Sequence, residues 1–319
     1  LTHGCEVIID TNKSSLSLLE DAQHLILRRL LGLSRNSILA PLFTETGIMP
    51  IRPRRVILAL RYLAYILDLA HDHYAYLALL EKMRIFFLMG ERSWLSDLDW
   101  AIQNLPGSSS SLPCLDALST QSITALSKAV TDSTMSSLQL FIDQSPRLAL
   151  LQNRQEPHKD GTKSRPVCSL RHYLTLVRSP DHRVTLTKLL CGDLTPVTFH
   201  ASPASAPPLP VCDHQAKGCR ACHLPLQPES PQHVLLQCQF IPELVDLRNG
   251  FLTRMSLHFP LPHSLRFDHA SATHYLKLFV FNWDSVVETA KFIHEGISLW
   301  KSYLKDDRAT TTDDEDEEV

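Results

Sequence analysis

The stretch Cys219-Arg-Ala-Cys222, followed by His233 and Cys238, spaces four soft or borderline ligands as C-x2-C-x10-H-x4-C. Two thiolates separated by two residues can grip one ion from a single tight turn, and an imidazole with a third sulfur can close a tetrahedron around zinc. Metal bonds would then fix a loop that has few apolar residues to hold it otherwise. A closed set of four protein ligands leaves no position for water, so the expected zinc is structural, not catalytic. The spacing also makes a demand on the backbone. Ser230 can cap a helix with Pro231 at its first position, which puts His233 near the helix start; a regular helix would carry Cys238 about 140° further round. Both side chains must reach one ion, so the helix is expected to end or distort near Cys238. Cys212, His214 and His223 lie close enough in sequence to substitute as ligands, and ordinary reduced cysteines are the competing reading.

With 319 residues, 44% hydrophobic and 20% charged, the chain can bury a sizeable core in about two domains. No signal-peptide pattern opens it and the remaining cysteines are scattered, so neither secretion nor a disulfide framework is expected. The first residue, Leu1, points to a chain cut from something longer or to a truncated reading frame. The longest apolar run, Val56 to Ala70, is broken by Arg61 and Asp68 and falls short of the roughly 18 residues a membrane span needs, so it reads as a buried helix.

The net charge of −3 hides an asymmetry. Asp306 to Val319 holds eight acids against Arg308, a net of −7, which leaves +4 for the rest of the chain. Arg28, Arg29, Arg35, Arg52, Arg54, Arg55 and Arg61 stand against Glu45 alone, a positive field suited to phosphate. A second basic stretch runs from Arg147 to Lys188, with nine Lys and Arg against three acids. From these two stretches Arg28, Arg29, Arg52, Arg54, Arg55, Arg61, Arg171, Arg183 and Lys188 are the candidate nucleic-acid contacts. A solvated arginine face is the alternative.

Helical signals dominate, and an all-α fold is expected: a helical bundle-like segment, a small zinc-stabilised module and C-terminal helices. Ser17 and Glu20 form a capping box for a first helix that Gly32 can stop, and a second runs from about Pro53 to Leu69. Asp72 can cap a third ending near Gly90, and Ser93 with Ser96 opens a fourth. Residues 1–105 thus read as one helical segment. Residues 106–165 read as a low-complexity linker with uncertain helices, and 166–200 as a helical segment with a start at Ser179-Pro180-Asp181. The prolines of 201–211 mark a stiff linker into the zinc module of 212–240. Within 241–305, Pro242 can open one helix, and Trp283 to Leu304 places Val286, Val287, Ala290, Ile293, Ile297 and Leu304 towards one side of another. Residues 306–319 read as a disordered acidic tail.

Clustered carboxylates of the kind two-metal polymerases and nucleases need are missing outside that tail. No phosphate loop, G-x-S-x-G elbow or H-E-x-x-H helix occurs, and His71 and His73 diverge on a helix, so catalysis by this chain alone and a small-molecule substrate are not expected.

Read together, Leu1-Thr-His-Gly-Cys-Glu6, Leu27-Arg-Arg-Leu-Leu-Gly-Leu33, Gly47-Ile-Met-Pro-Ile-Arg-Pro-Arg-Arg55, His182-Arg-Val-Thr-Leu-Thr-Lys-Leu-Leu-Cys-Gly192 and the Cys219, Cys222, Glu229-Ser-Pro-Gln-His233, Cys238 set follow one another in order. In this order they resemble the C-terminal part of reverse transcriptases of non-LTR (LINE-type) retrotransposons, most like those of fungi. His3 stands where that family usually has tyrosine. The resemblance makes residues 1–105 a connector following the polymerase palm, and it implies contact with template RNA or target DNA and a nuclear location, a cytoplasmic one remaining open. The palm aspartates of the F-A-D-D kind are absent, so the implied fragment has no polymerase activity of its own. The rival reading is a zinc-stabilised α-helical module for protein interaction or structure, with the 283–304 face as the surface for a partner.

Overall fold

The structure, a computed structural model, describes residues 2–107, 110–158, 160–164, 167–194, 219–222, 230–259, 261 and 267–313, with the backbone alone for 163 and 306–313. It is all-α, and the one pair of strands among the described residues, β1 (Glu156–Pro157) and β2 (Lys163–Ser164), is two residues long. The Pro-rich linker and residues 314–319 of the acidic tail lie outside the described residues. Two compact units are present. The first comprises Leu1–Leu30, Leu39–Gln144 and Val167–Leu170; the second comprises Leu31–Ile38, Ser145–Pro166 and Arg171–Val319.

In the first unit α1 (Lys13–Leu31) begins earlier than the capping box at Ser17 predicts, because Asn12 is the cap: its Oδ1 accepts the N–H groups of Ser14 and Ser15 at 2.9 and 3.3 Å. Leu16 is already buried, so the helix has to start before it. After α2 (Ala40–Thr46), the start of α3 (Ile51–Leu67) is held from outside. Buried Gln23 accepts the Ile51 N–H at 2.9 Å and donates to Met49 O at 3.0 Å, satisfying one of the donors that a helix start leaves orphaned. Next come α4 (Tyr74–Met83), which runs on into a π-turn at Arg84–Leu88, and α5 (Trp94–Gln103). His73, not Asp72, caps α4: its Nδ1 accepts the Ala75 N–H at 3.1 Å. At α5 the Ser93 N–H donates to Ser96 Oγ at 2.7 Å, as the sequence predicts. The expected linker contains α6 (Thr120–Gln144), which packs along α3. Leu60, Leu63, Leu95, Leu98, Ile102 and Ile123 form the floor of this core, each fully excluded from solvent.

The second unit contains α7 (His172–Leu176), α8 (Pro180–Leu190), α9 (Pro242–Met255), α10 (His269–Phe281) and α11 (Val286–Asp313). Ser179 and Pro180 start α8 as expected, and Gly192 at φ +66° ends it. The helix α10 is one the sequence reading missed. Phe251 of α9 stacks on Phe292 of α11 at 4.1 Å and meets Phe279 of α10 edge-on at 5.4 Å, so one aromatic cluster ties three helices together. On α11 the expected side is buried at Val286, Ala290, Ile293 and Ile297, but Val287 is 48% exposed and points away. That buried side is occupied by the unit's own core, which removes it as a surface for a partner. The α11 backbone stays helical to Asp313, into the acidic stretch.

Candidate metal centre

Cys219 and Cys222 lie in the short stretch 219–222, and the other two candidate ligands, His233 and Cys238, flank one distorted turn. Pro231 and Gln232 start as helix, with Ser230 Oγ accepting the His233 N–H at 3.1 Å. The segment His233–Gln237 is then a π-turn, closed by Cys238 N–H donating to His233 O at 2.8 Å. An i→i+5 bond takes in one more residue per turn than an α-helix, which brings residues five apart nearly into line. The helix therefore distorts where the geometry of two ligands on one ion demanded it. The turn is held by its apolar side: Val234, Leu235 and Leu236 are buried among α9, α10 and α11. Gly296 of α11 makes this possible, since a Cβ there would stand 3.0 Å from a Leu235 methyl and 3.2 Å from one of Leu244.

The ligand atoms of Cys219, Cys222, His233 and Cys238 all lie within 4.8 Å of one another, with no disulfide among them. For a tetrahedral ion with bonds of about 2.3 Å to sulfur and 2.0–2.1 Å to nitrogen, the sulfur–nitrogen edge is roughly 3.5 Å. Cys222 Sγ and His233 Nε2 stand 3.4 Å apart. The set therefore fits a single metal ion, and among the described residues it is the one such cluster. Cys212, His214 and His223 lie outside the described residues. Cys219, His233 and Cys238 are buried and Cys222 is half-buried, an arrangement in which three sulfurs and a nitrogen face one another and not solvent.

Two groups that the sequence reading missed surround these ligands. Gln237 donates its amide N–H to Phe267 O at 3.0 Å, which leaves its Oε1 as the acceptor facing His233 Nδ1 at 3.2 Å. The proton therefore sits on Nδ1 and the Nε2 lone pair points to the sulfurs, the outer-shell arrangement typical of metal-binding histidine. Arg248 of α9 is 3% exposed and donates to Leu235 O at 2.7 Å, Cys238 O at 2.6 Å and Val234 O at 3.4 Å. Burial pushes its pKa down to about 10, against the pull of the Cys238 charge, so it is a cation at neutral pH. Each residue had a signal: Gln237 is four residues after His233, and Arg248 falls on the same apolar stripe as Leu244, Phe251, Leu252 and Met255.

The thiols are polarised before any ion arrives. A hydrogen bond with Cys238 and burial push the Cys219 thiol up to about 11. The same bond holds Cys238 below its ordinary value although burial opposes it.

The candidate nucleic-acid residues separate by environment. Arg29, Arg54 and Arg61 are exposed; Arg28, Arg183 and Lys188 are half-buried. Arg52 pairs with Glu20 at 2.6 Å and Arg55 with Asp10 at 2.8 Å, so their charges are largely answered inside the first unit. Arg183 donates to Val177 O at 2.9 Å. Arg171 departs from the expectation: it is 1% exposed, pairs with buried Glu156 at 2.9 Å, and has no surface to offer a phosphate. Glu156 also takes a short hydrogen bond from His172, whose ring stacks on Trp283 at 5.0 Å. The position marks a structural ion cluster. No helix among the described residues is long and apolar enough to cross a membrane. No protein-family model, no curated protein and no solved structure matches the chain.

Proposed function

We propose that this chain is a nucleic-acid-binding portion of a LINE-type reverse transcriptase, without polymerase activity of its own, in which a structural zinc stabilises the second unit and exposed arginines meet phosphate. The observation that carries it is the meeting of Cys219, Cys222, His233 and Cys238 at the spacing on which the resemblance rests. A set of three sulfurs and one imidazole selects zinc over magnesium or calcium, which take oxygen ligands. The ion's part here is to tie the 219–222 loop to the π-turn, and no step of chemistry passes through it. Arg29, Arg54 and Arg61 supply positive charge with their guanidiniums in water, where phosphate can reach them.

The test is a salt titration of single-stranded RNA binding by the zinc-loaded chain. Binding through phosphates releases counterions, so log K should fall linearly with log salt, and the Arg29→Ala/Arg54→Ala double variant should lower the slope by roughly 1.4 if both meet single-strand phosphates. Absence of binding at low salt with zinc present would overturn the reading.

The rival, an α-helical module for protein interaction, is favoured by α1. Leu18, Leu25, Ile26 and Leu30 are between 52% and 71% exposed there, an apolar strip on a helix whose other side is buried. Under that reading Leu18→Glu and Leu25→Glu abolish capture of a protein partner and leave RNA affinity unchanged.

A further inference from the structure

We infer that a cleft between α3 and α6 is a binding site for a single phosphate group. The cleft has a volume of about 250 Å³ and is lined by Leu60, Arg61 and Ala64 of α3 and by Ile123, Thr124, Ser127, Lys128 and Thr131 of α6. The four polar positions of α6 are spaced i, i+3, i+4 and i+7, so they form one strip, beside the buried stripe of Ile123 and Val130. Arg61 and Lys128 bring two positive charges to one cleft, and its lining contains no carboxylate. Neither cation makes an ion pair among the described residues. Arg61 and Lys128 are both exposed beside an apolar floor of Leu60 and Ile123, so the cleft carries a positive potential that an anion would relieve.

The hydroxyls narrow the ligand. Thr124 and Thr131 already donate to Thr120 O at 2.7 Å and to Ser127 O at 2.9 Å, so they have no proton to give an anion. Ser127 Oγ makes no such bond and is free to donate. The site therefore offers a planar guanidinium, a point ammonium and one hydroxyl, a donor set suited to a tetrahedral oxyanion. Its volume is below the roughly 300 Å³ at which pockets for drug-sized ligands begin, enough for a phosphate with its sugar. The phosphate can come from a nucleic-acid strand or from a free phosphate compound. The first source rests on the function proposed above; the chemistry of the cleft does not.

The test uses the full zinc-loaded chain and follows amide NMR shifts of α3 and α6 during titration with inorganic phosphate, with chloride at equal ionic strength as reference. Saturable shifts centred on Ser127 are expected with phosphate alone. Arg61→Gln and Lys128→Gln should each weaken the titration about tenfold, the loss of one charge-assisted hydrogen bond, whereas Lys82→Gln on α4, exposed and outside both the cleft and the candidate contacts, should leave it unchanged. Equal shifts with chloride, or equal weakening by all three variants, would overturn the site. A short single-stranded RNA that displaces phosphate supports the nucleic-acid source. Phosphate binding without any RNA binding supports the site while refuting the function proposed for the chain. RNA binding that Arg61→Gln and Lys128→Gln weaken no more than Lys82→Gln refutes the site while leaving that function standing.

Discussion

Replacing Arg248 with methionine removes the group that ties the turn carrying His233 and Cys238 to α9. The structure sets the size of the effect. Leu235 O and Cys238 O accept from the guanidinium at 2.7 and 2.6 Å, and hydrogen bonds to a charged donor contribute roughly 1.5–3 kcal/mol each. The third contact, to Val234 O at 3.4 Å, adds little. Against this, methionine relieves the cost of burying a cation, the same cost that pushes the Arg248 pKa down to about 10. A net loss of about 3 kcal/mol is expected, which for a unit of roughly 150–250 residues corresponds to about 6–12 °C in Tm. A zinc site of three thiolates and a neutral imidazole carries one net negative charge, and Arg248 answers it from inside the fold. Arg248→Met should therefore also weaken zinc in competition with a chromophoric chelator, while Arg248→Lys, which keeps the charge but reaches fewer carbonyls, should lose stability and retain more of the affinity. Thermal unfolding monitored by circular dichroism, paired with the chelator titration, measures both. An Arg248→Met protein within about 2 °C of the parent and with unchanged zinc affinity would refute the reasoning, since 2 °C is at most about 1 kcal/mol at this size.

Zinc uptake should release protons and strengthen as pH rises. Cys219 starts as a thiol with its pKa pushed up to about 11, so the ion has to displace at least that proton, and affinity should change about tenfold per pH unit for each proton released; a pH-independent affinity between pH 6.5 and 7.5 would contradict this. At the ion cluster of the second unit, burial alone would raise the Glu156 carboxyl. The His172 hydrogen bond and the Arg171 and Arg154 charges outweigh burial and hold it below its ordinary value. A lowered folded-state pKa gives stability that is present above the unfolded value and is lost as pH falls through the folded one, so acid unfolding should steepen below about pH 4. Glu156→Gln should flatten that dependence and cost about 3–5 kcal/mol at neutral pH by removing the negative charge that faces buried Arg171, and equal acid profiles for the two proteins would count against it. Gly296→Val should cost about 1–3 kcal/mol by crowding Leu235 and Leu244 and should weaken zinc indirectly, both read from the same unfolding and chelator assays.

The metal ligands were legible because their spacing is covalent information: C-x2-C fixes one end, and the 140° problem between His233 and Cys238 demanded a break in the helix that the π-turn supplies. Most helices were legible from caps and period, but the capping residue was not always so. Ser17 and Glu20 fit a box motif, yet Asn12 caps α1, because burial of Leu16 decides where the helix must begin. The helix α10 was missed although Ala272, Leu276, Phe279 and Val280 are buried at i, i+4, i+7 and i+8, because Tyr275, Leu278 and Phe281 place apolar residues off that stripe and blur its contrast. Arginine counts identified basic stretches without separating roles. Arg171 and Arg248 are interior cations answering a carboxylate and a row of carbonyls, and only tertiary placement distinguishes them from Arg29 or Arg54. Lys128 stood outside both basic stretches and acquires its proposed role only when α6 lies against α3.

The most direct measurement is metal content and coordination of the purified chain, by native mass spectrometry together with zinc-edge X-ray absorption. One zinc per chain is expected, with three sulfurs at about 2.3 Å and one nitrogen at about 2.0–2.1 Å, and with loss of the ion in Cys222→Ser/His233→Ala. A chain that folds to the same helical content with no zinc, or that binds it through oxygen ligands, would contradict the account.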